Sequence, residues 1–255
     1  MNDDSRSPLD DEFDAIASEL WENNSSWWQT GFTLGADPEY EEQIIPMLRE
    51  HLAGSCRILD IGTGEGQLTR VAARVAGVEY IAGIDPTWEQ IAEAGRHAPD
   101  IDYIKAEASR IPFADGSFDT VVACLVFEHI ADLPGAIAEV SRVLRSKGTF
   151  LFFLNHPLLQ TPNSGWIDDH IIGEQYWRIG RYLGEERTVE EVEKDVYIPF
   201  IHRPLGNYLN LLAENSLLLT RMEEPAPPQG FLDKAPEYYE AATIPRLLFL
   251  RLNKA

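Results

Sequence analysis

The sequence predicts an α/β fold: a doubly wound, mostly parallel sheet with an antiparallel last strand, a helical N-terminal cap and an insertion after the fifth strand. Three observations carry this. Apolar strand-like runs alternate with helix-patterned segments from Cys56 to Leu154, as in a parallel sheet covered on both faces. The run "ILDIGTGEGQ" ends on three glycines, Gly62, Gly64 and Gly66. Two further apolar runs close the chain without a clear crossover helix between them, which suits antiparallel pairing.

The elements follow in order. Leu9, Phe13, Ile16, Ala17, Leu20 and Trp21 recur at helical spacing and predict an amphipathic first helix. Asp37-Pro38 reads as an N-cap followed by proline at the first helical position. That second helix carries Tyr40, Ile44, Ile45 and Leu48, and Pro46 bends or splits it. "CRILDI" is the first strand, Gln67 to Ala76 a helix, "EYIAGI" the second strand and Thr87 to His97 a helix. "IDYIKA" and "FDTVVAC" are the next strands, Leu133 to Leu144 is a helix after Asp132, and "GTFLFFL" is the fifth strand.

Pro157 to Phe200 breaks the alternation and reads as irregular, rich in Trp, Tyr, Gly and charge. Within it "GEERTVEEVEKD", Gly184 to Asp195, reads as a solvated helix face with mixed-sign pairs. A helix over Pro204 to Glu214 and the strands "SLLLTRMEE" and "IPRLLFLRL" complete the chain. The expected organisation is one domain: residues 1–53 a helical cap, 54–156 the ligand-binding core, 157–200 a lid insertion, and 201–255 the rest of the sheet.

Composition narrows the function. A chain of 255 residues with 44% hydrophobic content suits one domain with a real core. A formal net charge of -21 opposes nucleic-acid binding, which relies on a basic footprint. A small molecule is therefore the expected partner. No apolar run approaches the roughly 18 residues of a membrane span, and the first residues lack a signal-peptide pattern. Cys56 and Cys124 read as reduced core thiols, and the cytoplasm is the expected compartment. The six histidines show no metal-ligand spacing, so no metal is expected. The sequence does not set the oligomeric state.

In an open parallel sheet ligands sit beyond the carboxyl ends of the strands. There a helix N-terminus offers unpaired N–H groups, and glycines keep Cβ atoms out of the way. The second strand ends in Asp85, 19 residues after Gly66, where an acidic side chain commonly takes ribose hydroxyls. A dinucleotide fingerprint wants G-x-G-x-x-G. This chain runs G-x-G-x-G, and Gln67 occupies the place of the last glycine. Asp60 would crowd a pyrophosphate, but suits a ligand with an ammonium group.

These residues carry a resemblance. "ILDIGTGEGQ", "GIDPT" and "AEASRIPFADGSFDTVVACLVFEHI" together resemble the ordered motifs of class I S-adenosylmethionine-dependent methyltransferases, in their small-molecule, type 11-like branch. The resemblance implies a Rossmann-like sheet and S-adenosylmethionine as cofactor. Carried over by residue, it implies that Asp60, Gly62, Thr63, Gly64 and Gly66 hold the methionine part, with Asp60 near its ammonium. It further assigns Asp85 to the ribose, Pro86 to the adenine face, Glu107 and the Ala108 N–H to the adenine edge, and Cys124 to the wall near the sulfonium. Glu107 stands where the family often has Asp.

His129, His156 and His202 are the candidate general bases, since an imidazole titrates near neutrality; His156 stands out at the end of the fifth strand. Each position equally suits a hydrogen-bonded framework role. Trp27, Trp28, Trp166, Tyr176 and Trp177 suit either a packed cap or an aromatic substrate cavity, with Trp166 and Tyr176 in the expected lid. The reaction implied is methyl transfer to an O-, N- or C-nucleophile of a small molecule. Two alternatives remain: an NAD(P)-dependent oxidoreductase, and a non-catalytic S-adenosylmethionine-binding protein.

Overall fold

The computed structural model describes the backbone of residues 8–234, 236 and 239–255, and the side chains of these except residues 8–12, 14 and 239. The expected packing of Leu9 lies outside the described side chains.

The central sheet has seven strands in the order β10-β11-β5-β4-β1-β2-β3. Its parallel part comprises β1 (Arg57–Ile61), β2 (Tyr80–Asp85), β3 (Asp102–Lys105), β4 (Phe118–Cys124) and β5 (Leu144–Asn155). β10 (Leu217–Glu223) and β11 (Leu247–Lys254) close it, with β11 antiparallel to both β5 and β10. β4 is buried at every position, as an apolar run covered on both faces requires. One core cluster gathers Leu59, Phe118, Ile137, Phe150 and Leu250, and a second, on Ile58, Val122, Leu151 and Phe249, takes in Ile44 and Leu48 of the N-terminal helices. The chain winds from β1 outward to β3, then returns to place β4 on the other side of β1. The carboxyl ends of β1 and β4 thus form the switch point at which ligands bind in such sheets.

The helices are α1 (Pro8–Gly31), α2 (Ile45–His51), α3 (Gln67–Ala72), α4 (Trp88–His97), α5 (Leu133–Val143), α6 (Leu205–Glu214) and the single turn α7 (Gln229–Leu232). α1 runs past the expected apolar stripe to include Trp27 and Trp28. Ala17 is buried, but Ile16 is 45% exposed, so the packed face is narrower than the spacing suggested. Ahead of α2, Tyr40–Ile44 forms a π-helical turn. Pro46 removes one N–H from the ladder, and the wider turn absorbs it without a break. Asp132 caps α5 as expected, its Oδ1 accepting from Gly135 N at 2.9 Å. Cys124 is buried, whereas Cys56 is only half-buried.

The insertion corrects the sequence reading. Residues 157–200 are not irregular. They fold into a hairpin of β6 (Gly165–Asp169) with β7 (Glu174–Arg178), and most of a second hairpin of β8 (Glu186–Glu193) with β9 (Val196–His202). The charged run expected to be helical is β8, turned into β9 through Asp195 at φ 64°. Pairing with the apolar β9, Ile198 to Ile201, overrides its weak helical charge pattern. No helix among the described residues is long and apolar enough to cross a membrane.

Candidate functional site

The glycine turn is built by packing as much as by a ligand. Gly62, Gly64 and Gly66 all take left-handed φ, at 68°, 55° and 81°, which favours glycine. A Cβ on Gly62 would overlap the Val126 side chain, and one on Gly66 would lie 2.5 Å from the Tyr103 hydroxyl. Those two are glycines because side chains from β3 and the turn after β4 press on them. Gly64 differs: a Cβ there meets only Trp28 Nε1, at 3.8 Å, across open space. The open space is a cavity of about 180 Å3 bounded by the ends of β1, β2 and β4 and by α1.

Asp60 is 4% exposed. Its Oδ2 accepts from Thr69 Oγ1 at 2.6 Å and Thr63 Oγ1 at 3.0 Å, and among the described residues none donates to Oδ1. Burial raises its pKa to about 6, against the opposing pull of the two threonines. A buried carboxylate with one free oxygen beside a cavity fits an ammonium ligand. Asp85 holds the turn itself. Its Oδ2 accepts from Gly64 N at 3.0 Å and its Oδ1 from Thr87 N at 2.8 Å, and burial raises its pKa as well. Pro86, Glu107, Ala108 and Cys124 also line the cavity. Burial pushes the Cys124 thiol well up, so it stays protonated. Among the described residues no group of three or more His, Cys, Asp or Glu side chains could hold a metal ion.

The roof is α1. Ala17, Ser18, Trp21 and Trp28 line the cavity, joined by Thr33 and Tyr40 of the following segment. Trp28 stacks on Phe32 at 4.4 Å. Glu22 latches the helix down: its carboxylate accepts from Trp88 N at 2.9 Å and Glu89 N at 3.2 Å. The N-cap of α4, Thr87, makes no side-chain cap of its own, so a carboxylate from another helix answers the positive N-terminus. Gln29 and Gln90 add a bond of 2.9 Å, and Leu34 N donates to Gln67 Oε1 at 2.9 Å.

The three histidines part company. His129 lines the cavity. It is carried there by the turn after β4, where Leu125 takes an unfavourable left-handed φ of 55°. His156 does not line the cavity, although it follows β5. Its Nε2 donates to Glu224 Oε1 at 2.8 Å and its Nδ1 accepts from Leu158 N at 3.2 Å, so both ring nitrogens serve the framework. His202 does not line it either, and its Nε2 donates to the Tyr182 carbonyl at 2.9 Å.

The expected aromatic lid also divides. Trp28 lines the cavity, but Trp27, Trp166 and Tyr176 do not. Trp27 donates to Glu193 at 2.8 Å. Trp166 meets Trp177 over a separate cavity of about 50 Å3, and Tyr176 is 45% exposed. No residue of 157–200 lines the larger cavity; the second hairpin instead supports α1 and His129 from behind. Trp21, Tyr40, Val126 and Ile130 line the cavity without having been singled out as ligand contacts. The available signal was the spacing of Ala17, Trp21 and Trp28 on one helix face.

A family profile described as a methyltransferase domain matches residues 59–152. The demethylmenaquinone methyltransferase of Thermotoga maritima is 28% identical over 116 residues, 46% of this chain and 50% of that protein. The ubiquinone/menaquinone biosynthesis C-methyltransferase UbiE of Citrifermentans bemidjiense is 35% identical over 104 residues, 38% of this chain and 44% of that one. The chain thus spans about half the length of these curated relatives, or less. The crystal structure of an S-adenosylmethionine dependent methyltransferase from Mesorhizobium loti matches with a TM-score of 0.73 at 27% identity, covering 87% of this chain and 100% of that chain.

Proposed function

We propose that this chain, which belongs to the class I S-adenosylmethionine-dependent methyltransferases, transfers the methyl group of S-adenosylmethionine to a small-molecule acceptor in the cavity under α1. The observation that carries the reading is Asp60: a buried carboxylate with an undonated oxygen beside a left-handed glycine turn. Bound there, S-adenosylmethionine supplies a methyl group already activated on a sulfonium. The protein's part is to bind, orient and exclude water. Asp60 and the turn Gly62, Thr63, Gly64 and Gly66 take the methionine end. Asp85 takes the ribose through lone pairs left over from Gly64 and Thr87. Pro86, Glu107 and Ala108 take the adenine, and Cys124 walls the sulfonium. Trp21 and Trp28 cover the acceptor.

The cover that α1 places over the cavity favours a small acceptor. The Thermotoga relative is named for transfer to demethylmenaquinone, which is consistent with that class. Gln67 speaks against a dinucleotide: its side chain is tied to Leu34 N, where a dinucleotide loop needs glycine. The testing experiment incubates the protein with S-adenosylmethionine and a panel of small metabolites. Release of S-adenosylhomocysteine with a product heavier by one methylene supports transfer. Cofactor binding with no product from any of them would favour a non-catalytic binder.

A further inference from the structure

Among the described residues, the acceptor half of the cavity carries no charged side chain. Its walls are Ala17, Ser18 and Trp21 from α1 and Val126, His129 and Ile130 from the turn after β4. Among the described residues four carboxylates line the cavity, Asp60, Glu65, Asp85 and Glu107, all on strand ends and turns of the cofactor side, and no lysine or arginine does.

Among the six residues named for these walls, His129 is the one titratable group, and its tautomer is fixed. Nδ1 lies 2.6 Å from the Pro199 carbonyl oxygen of β9. A carbonyl only accepts, so Nδ1 carries the proton and Nε2 keeps the lone pair. Trp21 meets the ring edge-on at 5.0 Å and Phe200 at 5.5 Å, so aromatic packing supports that orientation. With Nδ1 turned to β9, the Nε2 edge is the one left for the cavity. Burial holds the imidazole below its ordinary pKa, outweighing the opposite pull of Glu128, the Pro199 carbonyl and Glu190. The ring is therefore neutral at physiological pH.

Resting on the methyl-transfer reading, we propose that the acceptor is a neutral apolar molecule with a phenol-type hydroxyl, which donates its O–H to His129 Nε2 beside Trp21 and Ile130. Against these walls neither a carboxylate or phosphate nor an ammonium acceptor would find a counter-ion among the described residues. A carboxylate also needs no base, whereas a hydroxyl does. The step balances. The hydroxyl proton passes to Nε2, the oxygen's electron pair forms the bond to the methyl carbon, and the pair of the broken carbon–sulfur bond stays on sulfur. One positive charge moves from sulfur to the imidazole, which then releases its proton to solvent.

The test uses the full chain saturated with S-adenosylhomocysteine at pH 7.5. Three probes of one size are titrated by tryptophan fluorescence and ligand-observed NMR: p-cresol, 4-methylbenzoate and 4-methylbenzylamine. The expected result is p-cresol binding at least about tenfold tighter than either charged probe. His129→Asn, whose amide still reaches the Pro199 carbonyl, should weaken p-cresol severalfold and leave S-adenosylhomocysteine affinity unchanged. Equal or tighter binding of either charged probe, or no binding of p-cresol, overturns the proposal. Failure of S-adenosylhomocysteine itself to bind would strike the underlying methyl-transfer reading instead, and the proposal with it.

Discussion

Gly64 N donates to Asp85 Oδ2 at 3.0 Å, tying the turn after β1 to the end of β2. The residue proposed to hold the ribose thus also shapes the turn proposed to hold the methionine end. Asp85→Ala should weaken S-adenosylmethionine binding by roughly 1.5–3 kcal/mol. It should also lower stability by about 1–3 kcal/mol, because the Gly64 and Thr87 amides lose their acceptor. Calorimetry and thermal melts measure the two separately. Wild-type affinity in the mutant would remove Asp85 from the site.

The glycines should separate by cause. Gly66→Ala drives a Cβ into the Tyr103 hydroxyl, and Gly64→Ala projects one into the cavity. Both substitutions also strain a positive φ, by about 1 kcal/mol. Gly66→Ala should therefore melt much lower, and Tyr103→Ala in the same chain should recover part of the loss. Gly64→Ala should melt close to wild type yet lose cofactor affinity. The reverse pattern would mean that the open space at Gly64 is not where the ligand lies.

α1, not the insertion, covers the cavity, and Glu22 ties it to the N-terminus of α4. Glu22→Gln keeps one acceptor but removes the charge at the N-terminus of α4, for a loss of about 1 kcal/mol. Cofactor release, followed by stopped-flow fluorescence of Trp21 and Trp28, should speed up while release in Tyr176→Ala stays as in wild type. An unchanged rate in Glu22→Gln would show that the latch does not control access.

Asp60 sets a pH dependence. Its folded-state pKa of about 6 lies above the ordinary 3.8. Its contribution to stability is thus fully present below the ordinary value and is lost as pH rises through about 6. An ammonium ligand binds the ionised form, so S-adenosylmethionine affinity should climb between pH 5 and pH 7 and proton release on binding should be detectable near pH 6. Asp85, also raised by burial, adds in the same direction. Asp60→Asn should flatten the profile. Affinity independent of pH across this range would contradict the assignment.

The parallel core was legible because β1, β2, β4 and the second half of β5 carry apolar runs, and Asp60 and Asp85 because they lie at the carboxyl ends of β1 and β2. The hairpins of the insertion were not. β8 exposes Val189 and Val192 among glutamates, so neither a two-residue nor a helical period stands out, and only its partner β9 fixes it as a strand. Nor could sequence tell that Gly62 and Gly66 answer to Val126 and Tyr103, contacts made across the sheet. His156 misled because a strand end aims its backbone at the site while the side chain turned to Glu224. Trp21 was visible as part of an apolar stripe, but a stripe does not say whether it covers a core or a cavity.

The most direct measurement is a calorimetric titration of the protein with S-adenosylhomocysteine, repeated with Gly64→Val and with NADH as the competing ligand class. The account predicts a single saturable site for S-adenosylhomocysteine, its loss in a folded Gly64→Val, and no heat with NADH. Binding of NADH without S-adenosylhomocysteine, or S-adenosylhomocysteine binding untouched by Gly64→Val, would contradict it.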